Sequence, residues 1–398
     1  MSASPLPYWR ISGFYLFYFA ILGAMVPYWN LYLLSIGFTP LQIGWMAAIT
    51  LAVRVVAPNI WGWLADRTGR SMVVVRTGMA LALISFSLVA MDTRFVWVAA
   101  TMTLFSFFWN ACLAQFEANT MNHLSGQESR YGMLRLWGSV GFILVVAGGG
   151  PLLDRHGIDL LIPLTMVFIA GTLVMSLLVP AHTGEQSAHQ QSGIWRLLVQ
   201  PQVFWFLLAC LLMQASHGPY YTFFSIYLES IGHSRSLVGY LWAIGVIAEV
   251  VVFILLVRWL PRWGTGPVML MSLLLAAIRW ALIGWAANNL WLLVLAQLLH
   301  AATFGAFHAA AIERVHHLFS GCHQGRGQAL FSSVGFGLGG ALGGLYSGYA
   351  WEGLGASAMF YFAALLAGAG ALVVGLANRS APRAASLSAP GARYPKAP

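Results

Sequence analysis

The sequence predicts an all-α integral membrane protein, with twelve transmembrane helices in two pseudo-symmetric bundles of six. Three observations predict it. The 398 residues are 59% hydrophobic and only 8% charged, where a soluble domain carries roughly 25% charged residues. Apolar runs of about 20 residues, enough to cross the hydrocarbon core of a bilayer, recur between short polar connections. One pattern also occurs twice, half a chain apart. Tyr32-Leu33-Leu34-Ser35-Ile36-Gly37, Gly44 and Arg54 are answered by Tyr227-Leu228-Glu229-Ser230-Ile231-Gly232, Gly239 and Glu249. Ser139-Val140-Gly141-Phe142 returns as Ser333-Val334-Gly335-Phe336, and Gly23 answers Gly218, at nearly the same separation.

Glycine, proline and charge mark the ends of the runs. They place spans at 10–34, 40–63, 72–90, 95–122, 132–150, 159–179, 202–229, 236–260, 266–286, 290–317, 327–350 and 355–377. The first run is too long for a signal-peptide core and lacks a small-residue cleavage site, so it reads as a retained span. The connections are short except for the stretch from Pro180 to Gln200, rich in His, Gln, Ser and Gly, which reads as a polar linker. Residues 1–180 therefore form one six-helix bundle, 181–200 a cytoplasmic linker, and 201–378 the second bundle. The Ala-, Pro- and Ser-rich stretch 379–398 reads as a disordered cytoplasmic tail.

Charge sets the orientation. Arg10, Arg67, Arg70, Arg76, Arg130, Arg196, Arg258, Arg262, Arg314 and Arg326 lie on one side with the basic tail, and only Arg94, Arg155 and Arg235 on the other. By the positive-inside rule both termini are cytoplasmic. The formal charge of +9 is spread over short loops instead of forming a stripe on a folded surface, which excludes a nucleic-acid partner. Cys112, Cys210 and Cys322 have unrelated spacings, and the histidines at 316, 317 and 323 have no ligand spacing, so neither a disulfide framework nor a metal site is expected. There is no phosphate-binding loop and no cofactor signature, and nothing points to an enzyme.

Ionisable groups in hydrocarbon are costly and by default mark a site. Arg54 and Glu249 stand at matching places in the two halves, Glu117 and Arg135 lie in the fourth and fifth spans, and Arg279 and His300 in the ninth and tenth. Two such sites on a repeated scaffold point to a transporter with its pathway between the halves. A buried carboxyl is driven toward its neutral form by desolvation and toward its charged form by a nearby cation, so Glu249 near Arg279 has the makings of a proton carrier, with His300 or His308 as alternative or relay. Gly218-Pro219 is expected to break the seventh span, making His217, Tyr220 and Tyr221 cavity residues. Asn30, with the mid-span tryptophans Trp109 and Trp242, adds polarity and ring-stacking surface. Arg54 is read either as pairing across the cavity with Glu249 or as holding a substrate carboxylate together with Arg135.

Two motifs carry a resemblance. Gly62-Trp63-Leu64-Ala65-Asp66-Arg67-Thr68-Gly69-Arg70 resembles the loop signature of the major facilitator superfamily, with Ser71 where a further base is usual. Gly62, Asp66, Arg67, Gly69 and Arg70 are accordingly assigned a conformational role. Phe116-Glu117-Ala118, then Tyr131 through Val140, then Glu249, Arg279 and His300, resemble the lactose permease type of proton symporter, and more closely its phenylpropionate permease group. Thr303 stands where the lactose permease pattern has a second glutamate. The likeness covers the chain apart from linker and tail. It implies a secondary transporter of the bacterial inner membrane importing a small aromatic carboxylate with protons. From the residues and the resemblance together, Glu249, His300, Arg279 and His308 are expected to serve coupling, and Glu117, Arg135, His217, Tyr220, Tyr221, Trp109, Trp242 and Asn30 the substrate. Arg54, which departs from the lactose permease pattern, is expected there on its position alone. The expected partners are substrate, protons and the lipid bilayer, with the proton as coupling ion and a monomeric state. The competing readings are symport of a neutral nucleoside or sugar, proton-driven efflux, and a membrane transferase or receptor.

Overall fold

The computed structural model describes residues 6–181, 200–319 and 323–380. Every regular element among them is helical. Eleven helices are long and apolar enough to cross a membrane. Spans 1 to 6 are Tyr8–Ser35, Pro40–Thr68, Ser71–Met91, Phe95–His123, Tyr131–His156 and Ile158–Leu178. Spans 8 to 12 are Arg235–Trp263, Thr265–Ala286, Leu290–Leu318, Gln324–Leu354 and Ala356–Asn378. Span 7 supplies the twelfth as two helices, Pro201–Ser216 and Gly218–Ser230, each too short alone. All but the ends of the expected linker and tail, together with Cys322, lies outside the described residues.

The expected spans and the observed helices agree in number and order, and differ at ends and interruptions. Span 2 continues to Thr68, through most of the Gly62–Arg70 motif. It stops at Gly69, whose φ of 65° is left-handed and whose N–H reaches the Ala65 carbonyl, a helix terminus that glycine accepts without a Cβ penalty. Span 7 breaks at His217, just before the Gly218-Pro219 step, as that step demands. Span 4 breaks at Asn110, whose side chain bonds back to the Ser106 carbonyl at 2.7 Å. Spans 10 and 11 each contain one π-helical turn, Ala301–Ala306 and Ser333–Gly339. Such turns insert one residue into the ladder and turn the following side chains to new directions.

Basic residues near the helix ends also hold structure together. Arg76 of span 3 donates to the carbonyls of Ser176 and Val179 at 3.1 and 3.0 Å, and Arg10 to that of Leu178 at 3.2 Å. These close the end of span 6, where carbonyls lack intrahelical donors and a cation is favoured. Arg76→Gln should therefore cost about 1–3 kcal/mol of stability. A lowered thermal midpoint in detergent would show this, with transport per folded molecule unchanged.

The two halves meet along spans 1 and 7, 2 and 11, and 5 and 8. Asn30 in span 1 donates to the carbonyls of Tyr221 and Thr222 at 3.3 and 2.9 Å, just beyond the break in span 7. Large apolar residues on spans 2, 5 and 8 are exposed, among them Val56, Trp63, Met133, Leu136, Ile254 and Val257, as suits helices in contact with lipid. The Asn30 bonds, with the close approaches of Gly44 to Gly344 and Gly348 and of Gly150 to Arg235, place contact between the halves near the end that bears the 36–39 and 231–234 loops.

Candidate functional site

Five of the titratable groups expected within the spans gather in two places. In the second half Arg279 of span 9 is completely buried. Its Nε donates to the Ala296 carbonyl at 2.7 Å, and one terminal nitrogen reaches the His300 Nδ1 at 3.0 Å and the Thr303 Oγ1 at 3.3 Å. Its guanidinium carbon lies 4.2 Å from the ring centre of Tyr220 and 4.5 Å from that of Trp280, both in cation–π range. The other face of His300 turns to span 8, with Nε2 3.6 Å from Glu249 Oε2. His300 thus stands between the acid and the arginine.

That order fixes the imidazole chemistry. A guanidinium only donates, so the Nδ1 it meets must accept, and the ring hydrogen sits on Nε2, facing Glu249. The separation of 3.6 Å exceeds a hydrogen bond, and a small shift of either helix closes it. Glu249 is half-buried, and span 10 makes room for it with Gly305 in its π-helical turn: a Cβ there would lie 3.0 Å from the Glu249 Cγ. Thr303 is in the same turn and serves as an acceptor for Arg279, in place of the carboxylate of the lactose permease pattern.

In the first half Arg135 Nε lies 3.4 Å from Glu117 Oε1, and Tyr131 donates to the same oxygen at 3.2 Å. The arginine carbon also lies 4.1 Å from the Phe19 ring centre. Both charged side chains are about one-third exposed, at 32% and 34%, so this pair faces an accessible surface. Tyr131, one turn before Arg135 on the same helix face, is a member of the group that charge alone does not reveal.

Arg54 forms no ion pair with Glu249. It is exposed, and its guanidinium carbon stands 6.0 Å from the ring centre of Phe336, which belongs to the other half. Phe336 in turn contacts Phe304, with ring centres 6.1 Å apart. Phe304 stacks between His300 and His308, at 5.3 and 6.1 Å, with planes within 7° and 5° of parallel. A line of rings therefore runs from Arg54 to the buried cluster, and His308 lies on the far side of Phe304 from His300. Phe304 and Phe336 were not foreseen, because both sit on π-helical turns that leave no mark in composition.

The remaining expected residues separate. Tyr220 is buried with its hydroxyl on Gln297 at 2.8 Å, Trp242 donates to Ser225 at 3.2 Å, and His217 bonds the Met213 carbonyl at 2.8 Å. His217, Tyr220 and Trp242 thus form the packed wall behind Arg279, while Tyr221 is half-buried. Trp109 stacks on Tyr18 at 5.0 Å within the first half. Asn30 belongs to the seam between halves.

Twelve helices in two repeated bundles, with charged clusters set on the central spans, define a membrane transporter of the major facilitator type, not an enzyme. The chain belongs to the MFS_1-like family, whose model matches residues 8–362. It is 29% identical over 368 residues to the "Probable 3-phenylpropionic acid transporter" of Escherichia coli (strain K12), covering 90% of this chain and 94% of that one. The maltose permease of Geobacillus stearothermophilus is 24% identical, with coverage of 92% and 94%. A solved structure of a variant of the nucleoside transporter NupG matches with a TM-score of 0.83 at 18% identity, covering 94% of this chain and 99% of that one.

Proposed function

We propose that this protein is a proton symporter of the bacterial inner membrane, with both termini cytoplasmic, that imports a small aromatic carboxylate such as 3-phenylpropionate. The observation that carries this reading is Arg54: an exposed cation in the seam between halves, set over a ring of the opposite half. A substrate carboxylate suits the guanidinium, and an aromatic body suits Phe336 and Phe304. The name of the relative from Escherichia coli supports the same class.

Coupling follows from charge. With Glu249 ionised and His300 neutral, the Glu249–His300–Arg279 group has no net charge. A proton on Glu249 makes it positive by one, and that favours an anion nearby. Proton and carboxylate therefore assist each other's binding, and by linkage the assistance is reciprocal. Glu249 is the carrier in this scheme because the Nδ1 of His300 is occupied by Arg279 and its Nε2 already holds hydrogen.

Purified protein in liposomes tests the substrate class. Labelled 3-phenylpropionate should accumulate under an imposed inward proton gradient and merely equilibrate without one, while a labelled nucleoside should do neither. Gradient-driven accumulation of the nucleoside with none of the carboxylate would replace this reading with transport of a neutral solute.

A further inference from the structure

Each half carries one carboxylate that closes a helix N-terminus of the other half. Asp154, at the end of span 5, accepts the backbone N–H groups of Arg235 and Ser236 at 3.1 and 2.9 Å and the Ser236 hydroxyl at 2.5 Å, all at the start of span 8. Glu352, at the end of span 11, accepts the Leu41 N–H at 2.9 Å, at the start of span 2. Neither residue touches the charged clusters described above. We propose that Asp154 and Glu352 are a matched pair of gating residues that hold the outer end shut and whose release opens the pathway outward.

The division of labour at the two helix starts is the same. In span 2 the side chain of Thr39 caps the Gln42 N–H at 3.2 Å, and Pro40 has no N–H. Leu41 is left, and Glu352 takes it. In span 8 the side chain of Ser234 caps the Leu237 N–H at 3.2 Å, which leaves Arg235 and Ser236 to Asp154. Thr39 and Ser234 are equivalent in the repeat, as are Leu41 and Ser236. Each helix thus covers its own third position and relies on the other half for the earlier ones. Orphan N–H groups at a helix start carry partial positive charge, and an anion satisfies both the bonds and the dipole.

Close backbone contact brings each acid to its target. Gly348 precedes Glu352 by one helical turn, and Gly150 precedes Asp154 by the same interval. A Cβ on Gly348 would lie 2.8 Å from the Pro40 carbonyl, and one on Gly150 would strike the backbone of Arg235 and Ser236. On the facing helices Gly44 lies against Gly344 and Gly348, and Gly239 against Val146. The outer seam is thus built twice from one plan: a glycine contact, then a carboxylate one turn further out. Arg235 reinforces one copy by donating to the Leu153 carbonyl at 3.2 Å while paired with Glu229 at 2.9 Å.

A charge-assisted cap lost from a helix start shifts an equilibrium by about tenfold, so losing both should shift the outer gate by about a hundredfold if the sites act independently. The test needs no substrate. Nitroxide labels at Thr93→Cys and Asn288→Cys, on exposed outer loops of opposite halves, report the outer separation by pulsed electron resonance in lipid nanodiscs, in a background without native cysteines. Wild type should give one short distance. Asp154→Ala with Glu352→Ala should add a longer, outward-open population, and each single change a smaller one. Should the double alanine variant fail to elute as a monodisperse species, Asp154→Asn with Glu352→Gln takes its place; it keeps an acceptor, loses the charge, and should move the distribution the same way. An unchanged distance distribution in a folded double variant would overturn the proposal.

Discussion

Glu249→Gln is expected to abolish proton-driven accumulation of 3-phenylpropionate while leaving exchange of labelled for unlabelled substrate across the membrane. Glutamine keeps the shape and a hydrogen-bond acceptor near the His300 Nε2 but cannot gain or lose a proton. The Glu249–His300–Arg279 group then stays positive in every conformation, much as if Glu249 were always protonated. Substrate binds and crosses, and the proton gradient no longer drives it uphill. Because Glu249 is 16% exposed and its partner is a neutral histidine, the change removes no tightly buried ion pair, and the variant should fold. Arg279→Gln is a poor substitute for this test: Arg279 is fully buried, stacked on two rings and bonded to three groups. Truncating such a group leaves its acceptors unpaired and damages the fold itself.

The second large effect is expected at Arg54. Removing a cation that holds a carboxylate costs about 1.5–3 kcal/mol, so Arg54→Gln should raise the KM for 3-phenylpropionate by roughly 10- to 100-fold. The guanidinium is exposed, with a ring contact to Phe336 and no ion pair among the described residues, so stability should change little. Initial-rate uptake against substrate concentration checks this. Arg54→Lys should fall between the two, since lysine keeps the charge and loses the planar fork. An unchanged KM in Arg54→Gln would move the carboxylate contact to Arg135.

These expectations came from different depths of the sequence. Span number, order and the repeat were readable because twenty-residue apolar runs have few other meanings in water or lipid. The break at His217 was readable from Gly218-Pro219, where proline removes a donor. The break at Asn110 was not, since an asparagine bonding back to the Ser106 carbonyl looks like any polar residue in a span. The π-helical turns were hidden for the same reason: an inserted residue changes hydrogen-bond register without changing composition, and it decides where Thr303, Phe304 and Phe336 point.

Charge in an apolar run located Glu117, Arg135, Glu249 and Arg279, because its cost demands a purpose. It did not say which of them meet. Asn30 shows the limit: a lone amide in span 1 reads equally as pathway or packing, and it bonds the carbonyls freed near the break in span 7. Asp154 and Glu352 carry no signal in the sequence, because an acid at the end of a span is ordinary there. Only the opposite half, folded against it, supplies the orphan N–H groups.

The central claim is that substrate and proton move together through Glu249. Liposomes filled with a pH-sensitive dye measure both movements when 3-phenylpropionate is added outside. Proton entry should rise with substrate entry in wild type, above the level of protein-free liposomes, and fall to that level in Glu249→Gln while exchange continues. Substrate entry by the wild-type protein with no proton movement beyond that of Glu249→Gln would contradict the account.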